Sequence, residues 1–277
     1  MSRLSLILLF LLFSFSGLVA QSARLVAPSE SHAFMGLAAE PRPDLPSAPP
    51  ATPDFATAVT LPRMSAELAL ATFQQRSGRQ SQALAGYSAA TMIRAELSDS
   101  AQHGELELER HYTAPRTLTF KALHYIGDGF VKTNVIARLL QSEVDHVQKD
   151  DPSSTALVPE NYKFTHKGTA QIDGRTVHVY QVKPRKKRPG LFKGHIYLDA
   201  FTGSLVRAEG RIVKSPSLFV KRIDFVQDYT NVAGFTLPAH MHTEAKAALV
   251  GRTVVDIVNR DYQPVPGAET SAAAGAD

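Results

Sequence analysis

The stretch His240-Met241-His242-Thr243-Glu244 is the clearest candidate for metal chemistry in this sequence. Alternate side chains of an extended strand point to the same side about 7 Å apart, so two imidazoles and a carboxylate would lie together. Such groups can bind zinc or copper. The alternate positions of the same strand carry apolar residues, including Phe235 and Met241, which predicts that the histidines face solvent. We therefore expect exposed histidines, no metal site and no cofactor.

A second candidate is the basic segment 183–194, KPRKKRPGLFKG, which holds six of the 30 Lys and Arg residues within twelve positions. Four consecutive basic residues are typical of a nuclear address or of a surface that binds polyanions. The flanking prolines and the glycine that follows are typical of a turn. Two interpretations stay open, a solvated hairpin loop and a loop that docks on an anionic membrane surface. The membrane-docking set would be Arg185, Lys186, Lys187, Arg188 and Phe192.

Sequence motifs for catalysis are missing. The chain has no Gly-x-Ser-x-Gly elbow, no Gly-rich phosphate loop and no His-Glu-x-x-His helix. It contains no cysteine, which excludes disulfides, thiolate metal ligands and a cysteine nucleophile. We predict from these observations that the protein is not an enzyme.

Residues 1–20 have the pattern of a secretory signal peptide, with Arg3 before the apolar segment Leu4 to Phe13 and a small-residue end. The uncharged segment Leu4 to Val19 has 16 residues. That is just short of the roughly 17–25 residues that span a bilayer, so we expect cleavage after Ala20, with an uncleaved anchor as the alternative. An exported, periplasmic protein does not meet chromosomal DNA. The nuclear address is therefore excluded, and no nucleic acid is expected as a partner.

Composition then divides the rest of the chain into three parts. Residues 21–60 form a predicted disordered tether, since six prolines fall between Pro41 and Pro53 and favour an extended chain. Residues 264–277 are expected to be a disordered tail. The remaining segment, 61–263, has the length of one ordinary domain, which we expect to be monomeric.

Hydrophobic spacing in this domain predicts two helices and about ten strands. The helices are expected at Pro62 to Arg76 and at Phe130 to Val147. Three strands precede the second helix and seven follow it, and short polar turns between consecutive strands predict antiparallel neighbours. The fold class is therefore α+β, with a large antiparallel sheet and helices packed against it.

Several strands alternate apolar and charged residues, so one face of the sheet should be apolar. A sheet of ten twisted strands tends to curl, which would make the apolar face concave. Either this face is a lipid-sized site that the helices cover in part, or the helices fill it and it is only core. The predicted lipid-binding residues are Leu106, Leu108, Tyr112, Phe219, Ile223, Phe225, Phe235, Leu237 and Met241.

The segment Gly194 to Gln263 resembles the LolA/LolB-like family, the periplasmic carriers of outer-membrane lipoproteins. The resemblance rests on an Asp-x-x-Thr-Gly-x-Leu-Val hairpin at 199–206 and a Gly-Phe-x-Leu-Pro turn at 234–238. It implies that 61–263 is a LolA-like half-barrel, an incomplete β-barrel in which helices close a hydrophobic concave face that holds acyl chains. The family also includes a regulator of an envelope stress response, so the fold alone does not fix the function.

Two functions follow as hypotheses. The first is an exported carrier that binds a lipid or a lipoprotein acyl chain on the concave face, in lipoprotein sorting or lipid transport. The second is a periplasmic regulatory or scaffold module that binds a partner protein, or senses envelope lipid, through the same groove.

Overall fold

The computed structural model of the protein describes residues 62–149, 151–214, 220–247 and 251–267. The predicted signal peptide, the tether and residues 268–277 of the predicted tail lie outside these ranges. None of the helices within these ranges combines the length and the apolar composition that a membrane crossing requires.

The first helix, α1 (Ala66–Ala83), begins one residue after Ser65, whose hydroxyl accepts a hydrogen bond from the Leu68 amide at 3.2 Å. A serine at this position satisfies an amide that the first turn leaves without a partner. The helix runs past Gly78 and ends seven residues beyond the predicted Arg76. Gln80 explains the extension, because its side-chain amide forms two hydrogen bonds with the backbone of Thr236, at 2.9 and 2.8 Å, and fixes the last turns to the sheet.

A second helical segment, 129–149, consists of three consecutive pieces. These are α2 (Gly129–Val131), a π-helical turn (Lys132–Ile136) and α3 (Ala137–Lys149). The segment confirms the predicted helix with one or two additional residues at each end. Because it packs on the sheet, we call segment 129–149 the cover.

Ten antiparallel strands form one open sheet, as predicted, in the order β3-β2-β1-β10-β9-β8-β7-β6-β5-β4. Strands that follow each other in sequence are paired, with the exception of β3 and β4, which are the two edges of the sheet. Strand β1 pairs with β2 on one side and with β10 on the other. The strands are β1 (Leu84–Leu97), β2 (Gln102–Thr113), β3 (Thr117–Gly127), β4 (Tyr162–Ile172), β5 (Arg175–Pro184), β6 (Phe192–Asp199), β7 (Leu205–Ile212), β8 (Val220–Val232), β9 (Phe235–Ala247) and β10 (Gly251–Pro266).

Strand β10 extends three residues beyond the boundary that the sequence indicated at 263. Pro264 lies opposite Tyr87 and Pro266 lies opposite Leu84 in the ladder with β1. Proline cannot donate to a strand ladder, so composition alone favoured a tail at this point. The first residues of the predicted tail are thus part of the sheet.

Both helical segments lie on the same face of the sheet, which we call the inner face. The cover packs mainly on β3, β2 and β1, and together with residues of β8, β9 and β10 it forms one group of buried residues that includes Ile93, Leu108 and Leu139. Helix α1 packs on the other half, where Phe73 joins a second buried group. The opposite, outer face carries most of the charged residues.

Strands β6 and β7 approach each other closely at a pair of glycines, Gly194 and Gly210. A methyl group on Gly194 would overlap the carbonyl oxygen of Glu209, and one on Gly210 would overlap the carbonyl oxygen of Lys193. Only glycine fits at these two positions without moving one strand.

Candidate functional site

Eight of the nine predicted lipid-binding residues are buried on the inner face, and the ninth, Phe219, lies outside the described residues. Their exposed fractions range from 1% for Leu108 to 9% for Tyr112. The structure brings four of them together beneath the cover, and these are Leu106, Leu108, Ile223 and Met241. Phe225 belongs to the group beneath α1. Tyr112 belongs to a smaller buried group with Val147 of the cover. Phe235 and Leu237 are buried on either side of Thr236, whose backbone is hydrogen-bonded to Gln80 of α1.

The cover occupies the inner face directly in this conformation. Its apolar residues Val131, Val135, Ile136 and Leu139 are each 0–3% exposed and belong to the same buried group as Leu106 and Leu108. The polar side of the cover faces away, where Gln141 is exposed, Asp145 is partly exposed, and Gln141 Nε2 donates a hydrogen bond of 2.9 Å to Asp145 Oδ1. The cover is therefore an amphipathic segment. Its apolar stripe occupies the part of the inner face that another apolar group would otherwise contact.

A pair of opposite charges lies inside this apolar contact. Arg110 is on the inner face of β2 and Glu143 is on α3, with 2.9 Å between Nη1 and Oε2. The two side chains are 1% and 0% exposed.

The surroundings of this pair are aromatic. The Arg110 guanidinium lies 5.1 Å from the centre of the Phe120 ring. The ring of Tyr87 lies tilted against Tyr112 and edge-to-face with Tyr262, with ring centres 5.4 Å apart in both pairs. A guanidinium over an aromatic ring is favourable when both are removed from water. Within the described residues, however, neither charged group has a well-directed hydrogen bond. The pair is thus held by charge and packing more than by hydrogen bonds.

Burial and charge act in opposite directions on both groups. Burial raises the pKa of the Glu143 carboxyl, and the nearby Arg110 charge opposes that effect. Burial is the largest single effect on Arg110 and would lower its pKa, but the contact with Glu143 and the Coulombic effects of Tyr87 and Tyr262 together outweigh burial and raise that pKa. The buried guanidinium therefore stays charged, and Glu143 is its counter-ion.

Sequence reasoning did not identify this pair as part of the site, although a signal was present. In the stretch Glu105 to Tyr112, strict alternation places Arg110 on the same face as Leu106 and Leu108. On α3, Glu143 follows Leu139 by four residues and so shares the buried stripe. The signal for a buried ion pair was thus a charged residue at an apolar position of β2 together with an opposite charge at an apolar position of α3.

His240, His242 and Glu244, which the sequence offered as candidate metal ligands, lie on the outer face, as the alternation of β9 indicated. His242 Nδ1 and His240 Nε2 both approach Asp256 of β10, at 2.8 and 3.3 Å, and Glu244 pairs with Arg252 at 2.7 Å. The two imidazoles thus share a carboxylate that lies on the adjacent strand. No group of histidines and carboxylates in the described ranges has an arrangement suited to a metal ion.

The basic segment connects β5 to β6 and divides into two kinds of residue. Arg185 Nε donates to the Pro159 carbonyl at 2.6 Å, and Arg188 donates to Asn161 Oδ1 at 2.7 Å and to the Ser154 carbonyl at 3.1 Å. Lys186 and Lys187 are exposed.

Phe192 is 0% exposed and packs on the inner face, with its ring centre 5.0 Å from that of Phe225. From this position it does not reach a membrane surface, because the alternation of β6 points it inward. Of the five residues predicted to dock on a membrane, Lys186 and Lys187 are the ones whose side chains are exposed without a contact in the described structure.

No family model matches the sequence, and no curated protein matches it. Among solved structures, the chain is similar to a DUF1329 family protein from Desulfovibrio piger, with 10% identity over 72% of this chain and 92% of that one and a TM-score of 0.38. It is also similar to a putative outer membrane lipoprotein-sorting protein domain from Vibrio parahaemolyticus (11% identity, 72% and 93%, TM-score 0.37). A LolA superfamily protein from Nitrosomonas europaea is similar over 75% and 96% (10% identity, TM-score 0.37). The LolA-like family that the sequence resembles is thus represented among these structures.

Proposed function

We propose that this domain binds a lipid, or the acyl chain of a lipoprotein, on its inner face beneath the cover, and that it carries this cargo through the periplasm. The observation that carries the proposal is the buried Arg110–Glu143 pair between the cover and the sheet. A buried ion pair is weak evidence for stability, because well-packed apolar residues of similar volume often stabilise a core as much or more. We interpret the pair as a device for position and not for stability: it joins the cover to the apolar face of the sheet and so favours one defined closed position of the cover.

Displacement of the cover would uncover a continuous apolar surface. Ile93 and Ile257 on neighbouring strands lie opposite each other in the β1–β10 ladder, and Leu106 lies opposite Ile93 in the β1–β2 ladder. Each buried apolar side chain is worth about 1.5–3 kcal/mol relative to exposure to water. An open state therefore needs an apolar ligand in place of the cover, and a hydrocarbon chain meets that requirement.

The proposed transport role rests on the predicted export of the chain. A lipid chain exposed to water between two membranes needs a carrier that excludes water, and a closed cover supplies that exclusion. Bound cargo and closed cover would compete for the same side chains, including Leu108 and Met241. Release of cargo would then be coupled to closure.

Two measurements test the proposal. Mass spectrometry of organic extracts from the purified protein should find bound lipid, and a fluorescent fatty-acid probe should bind and be displaced by unlabelled lipid. Absence of both bound lipid and probe binding would refute the carrier function.

A distance measurement tests the movement of the cover. The chain has no native cysteine, so thiol spin labels can be placed at two sites only. Gln141→Cys on the cover and Glu107→Cys on the outer face of β2 are both exposed. We expect the distance between these labels to increase on addition of lipid, whereas Glu107→Cys with Lys246→Cys, both on the sheet, should report no change. Equal distances with and without bound lipid at the first pair would exclude displacement of the cover.

A second candidate is binding of a partner protein at the β3 edge, in a regulatory or scaffold role. β3 is an edge strand, and Leu123, Ile126 and nearby Phe130 are 54%, 58% and 44% exposed. An exposed edge with apolar side chains can accept a strand from another protein. Photo-crosslinking from position 123 in periplasm should capture one protein in this case. Recovery of lipids or lipoproteins alone would count against this role.

A further inference from the structure

Four cations form a row across the outer face on four adjacent strands. Lys163 of β4 lies directly opposite Lys183 of β5, and Lys193 of β6 lies directly opposite Arg211 of β7. Val182 pairs with Gly194, so the next positions in the antiparallel ladder place Lys183 beside Lys193. Neighbouring strands are about 4.8 Å apart, so each cation has a like charge next to it.

Like charges directly opposite each other in a sheet are destabilising. In this row, Arg211 alone has a carboxylate, Asp224, at 2.8 Å. The next outer-face carboxylate on β7, Glu209, accepts a hydrogen bond from the Tyr197 hydroxyl at 2.6 Å and lies 3.8 Å from His195. No carboxylate within the described ranges pairs with Lys163, Lys183 or Lys193. The three lysines thus form an uncompensated positive row that an external anion could neutralise.

A groove of about 410 Å³ opens beside this row, where the loop from β5 to β6 leaves the sheet. Lys183, Lys187 and Lys193 line it, together with the half-buried Pro184 and Val213. The groove is large enough for a phosphate group and part of its substituent. Cationic and apolar groups therefore border one opening.

The loop that supplies Lys187 is fixed in place by its arginines. Arg185 and Arg188 bind the 151–161 loop through Pro159, Asn161 and Ser154. Such anchoring positions the Lys187 ammonium at the groove without loss of backbone freedom on binding. Lysine binds phosphate as a compact point charge with three donors.

We propose that this groove binds the phosphate-bearing headgroup of an anionic lipid at a membrane surface. Charge complementarity selects an anion, and the apolar Pro184 and Val213 beside the lysines favour a lipid headgroup region over free phosphate in water. The groove residues come from β5, β6, their connecting loop and Val213 just after β7, away from the cover. The inference is therefore independent of acyl-chain binding on the inner face.

The test is sedimentation with vesicles of phosphatidylcholine, with and without phosphatidylglycerol, at low ionic strength. Each basic residue near an anionic surface contributes about five-fold to the affinity. Lys183→Gln/Lys193→Gln removes two of them and should therefore bind the anionic vesicles about thirty-fold more weakly than the parent. The matched control Arg79→Gln/Lys246→Gln removes the same net charge from exposed positions outside the row and should lose less than about three-fold. The difference between the two variants should shrink as salt is added.

Two results would overturn the inference. One is equal binding of anionic vesicles by Lys183→Gln/Lys193→Gln and by the control variant. The other is saturation of the groove by inorganic phosphate, seen as amide chemical-shift changes at Lys183 and Lys193, without binding to anionic vesicles. Fatty-acid probe binding is measured on the same variants and should be unchanged, so that a failure of this site is separated from a failure of the proposed carrier function.

Discussion

Replacement of Glu143 by alanine removes the counter-ion of Arg110 and leaves a guanidinium that is 1% exposed. Leaving one partner of a buried ion pair uncompensated costs about 3–5 kcal/mol. For a domain of this size each kcal/mol lowers the melting temperature by about 2–4 °C, so Glu143→Ala should melt about 6–20 °C below the parent. Chemical denaturation followed by circular dichroism measures the same change as a free energy of unfolding.

The double variant Arg110→Met/Glu143→Leu removes both charges and keeps apolar volume at the contact. Such replacements of buried pairs are often neutral or stabilising by about 1–4 kcal/mol. This variant should therefore unfold at or above the parent's denaturant midpoint. The contrast between the single and double variants separates loss of the counter-ion from loss of packing.

Probe binding should change in the opposite direction to stability. If the cover must leave before an acyl chain enters, a less stable closed state raises the apparent affinity by about tenfold for each 1.4 kcal/mol. Glu143→Ala should then bind the fatty-acid probe more tightly than the parent, and the double variant should bind it as tightly or less tightly. Circular dichroism at the assay temperature confirms that each variant is folded.

The same helix offers a matched control. Asp145 and Lys149 form an exposed pair at 3.1 Å on α3, with side chains 44% and 68% exposed. Asp145→Ala should change stability by less than about 0.5 kcal/mol and leave probe binding unchanged. Equal stability of Glu143→Ala and Asp145→Ala, or probe affinity that does not change in any of the variants, would refute the role of the buried pair.

Three further predictions concern the frame of the domain. Phe192→Ala should lower the free energy of unfolding by about 3–5 kcal/mol, measured in urea, because the ring is fully buried; a loss below 1 kcal/mol would contradict its place in the core. Gly210→Ala should cost about 1–3 kcal/mol through overlap with the neighbouring strand, while the same change at the open position Gly78 should not destabilise. Burial would raise the pKa of Asp224, but hydrogen bonds from Arg222 and Arg211 outweigh it and lower that pKa. The stabilisation from Asp224 is therefore present above about pH 4 and lost as pH falls further, and Asp224→Asn should flatten that part of the stability curve against pH.

The sheet was predictable because its signal is local. Alternation of apolar and charged residues marks each strand, and a short turn after each strand specifies its next neighbour. The β1–β10 ladder has no such signal, because Ile93 and Ile257 are far apart in sequence and no turn joins their strands. The β1–β10 ladder forms because the apolar faces of both strands are buried in one sheet. That burial depends on the packing of the whole domain and not on local sequence.

The helix ends and the buried pair were not predictable to the same degree. The end of α1 depends on a contact between Gln80 and Thr236, which is a tertiary interaction that spacing within the helix does not encode. Arg110 was not among the residues predicted for the inner face, although its parity matched that of the apolar set. Whether a charge at such a position is buried depends on the partner that another element supplies, here Glu143.

The basic segment shows why charge alone did not decide its role. Arginine presents several donors in a planar fork, and Arg185 and Arg188 use theirs on carbonyl and amide oxygens of the 151–161 loop. Lysine is a compact charge that gains less from such oxygens, and Lys187 remains at the rim of the groove. The motif RKKR therefore combines two arginines that hold the loop with two lysines whose charges face outward. Substitution of all four residues would remove anchoring and surface charge together, so Lys183 and Lys193, which lie on strands, are the positions where surface charge can be removed without loosening the loop.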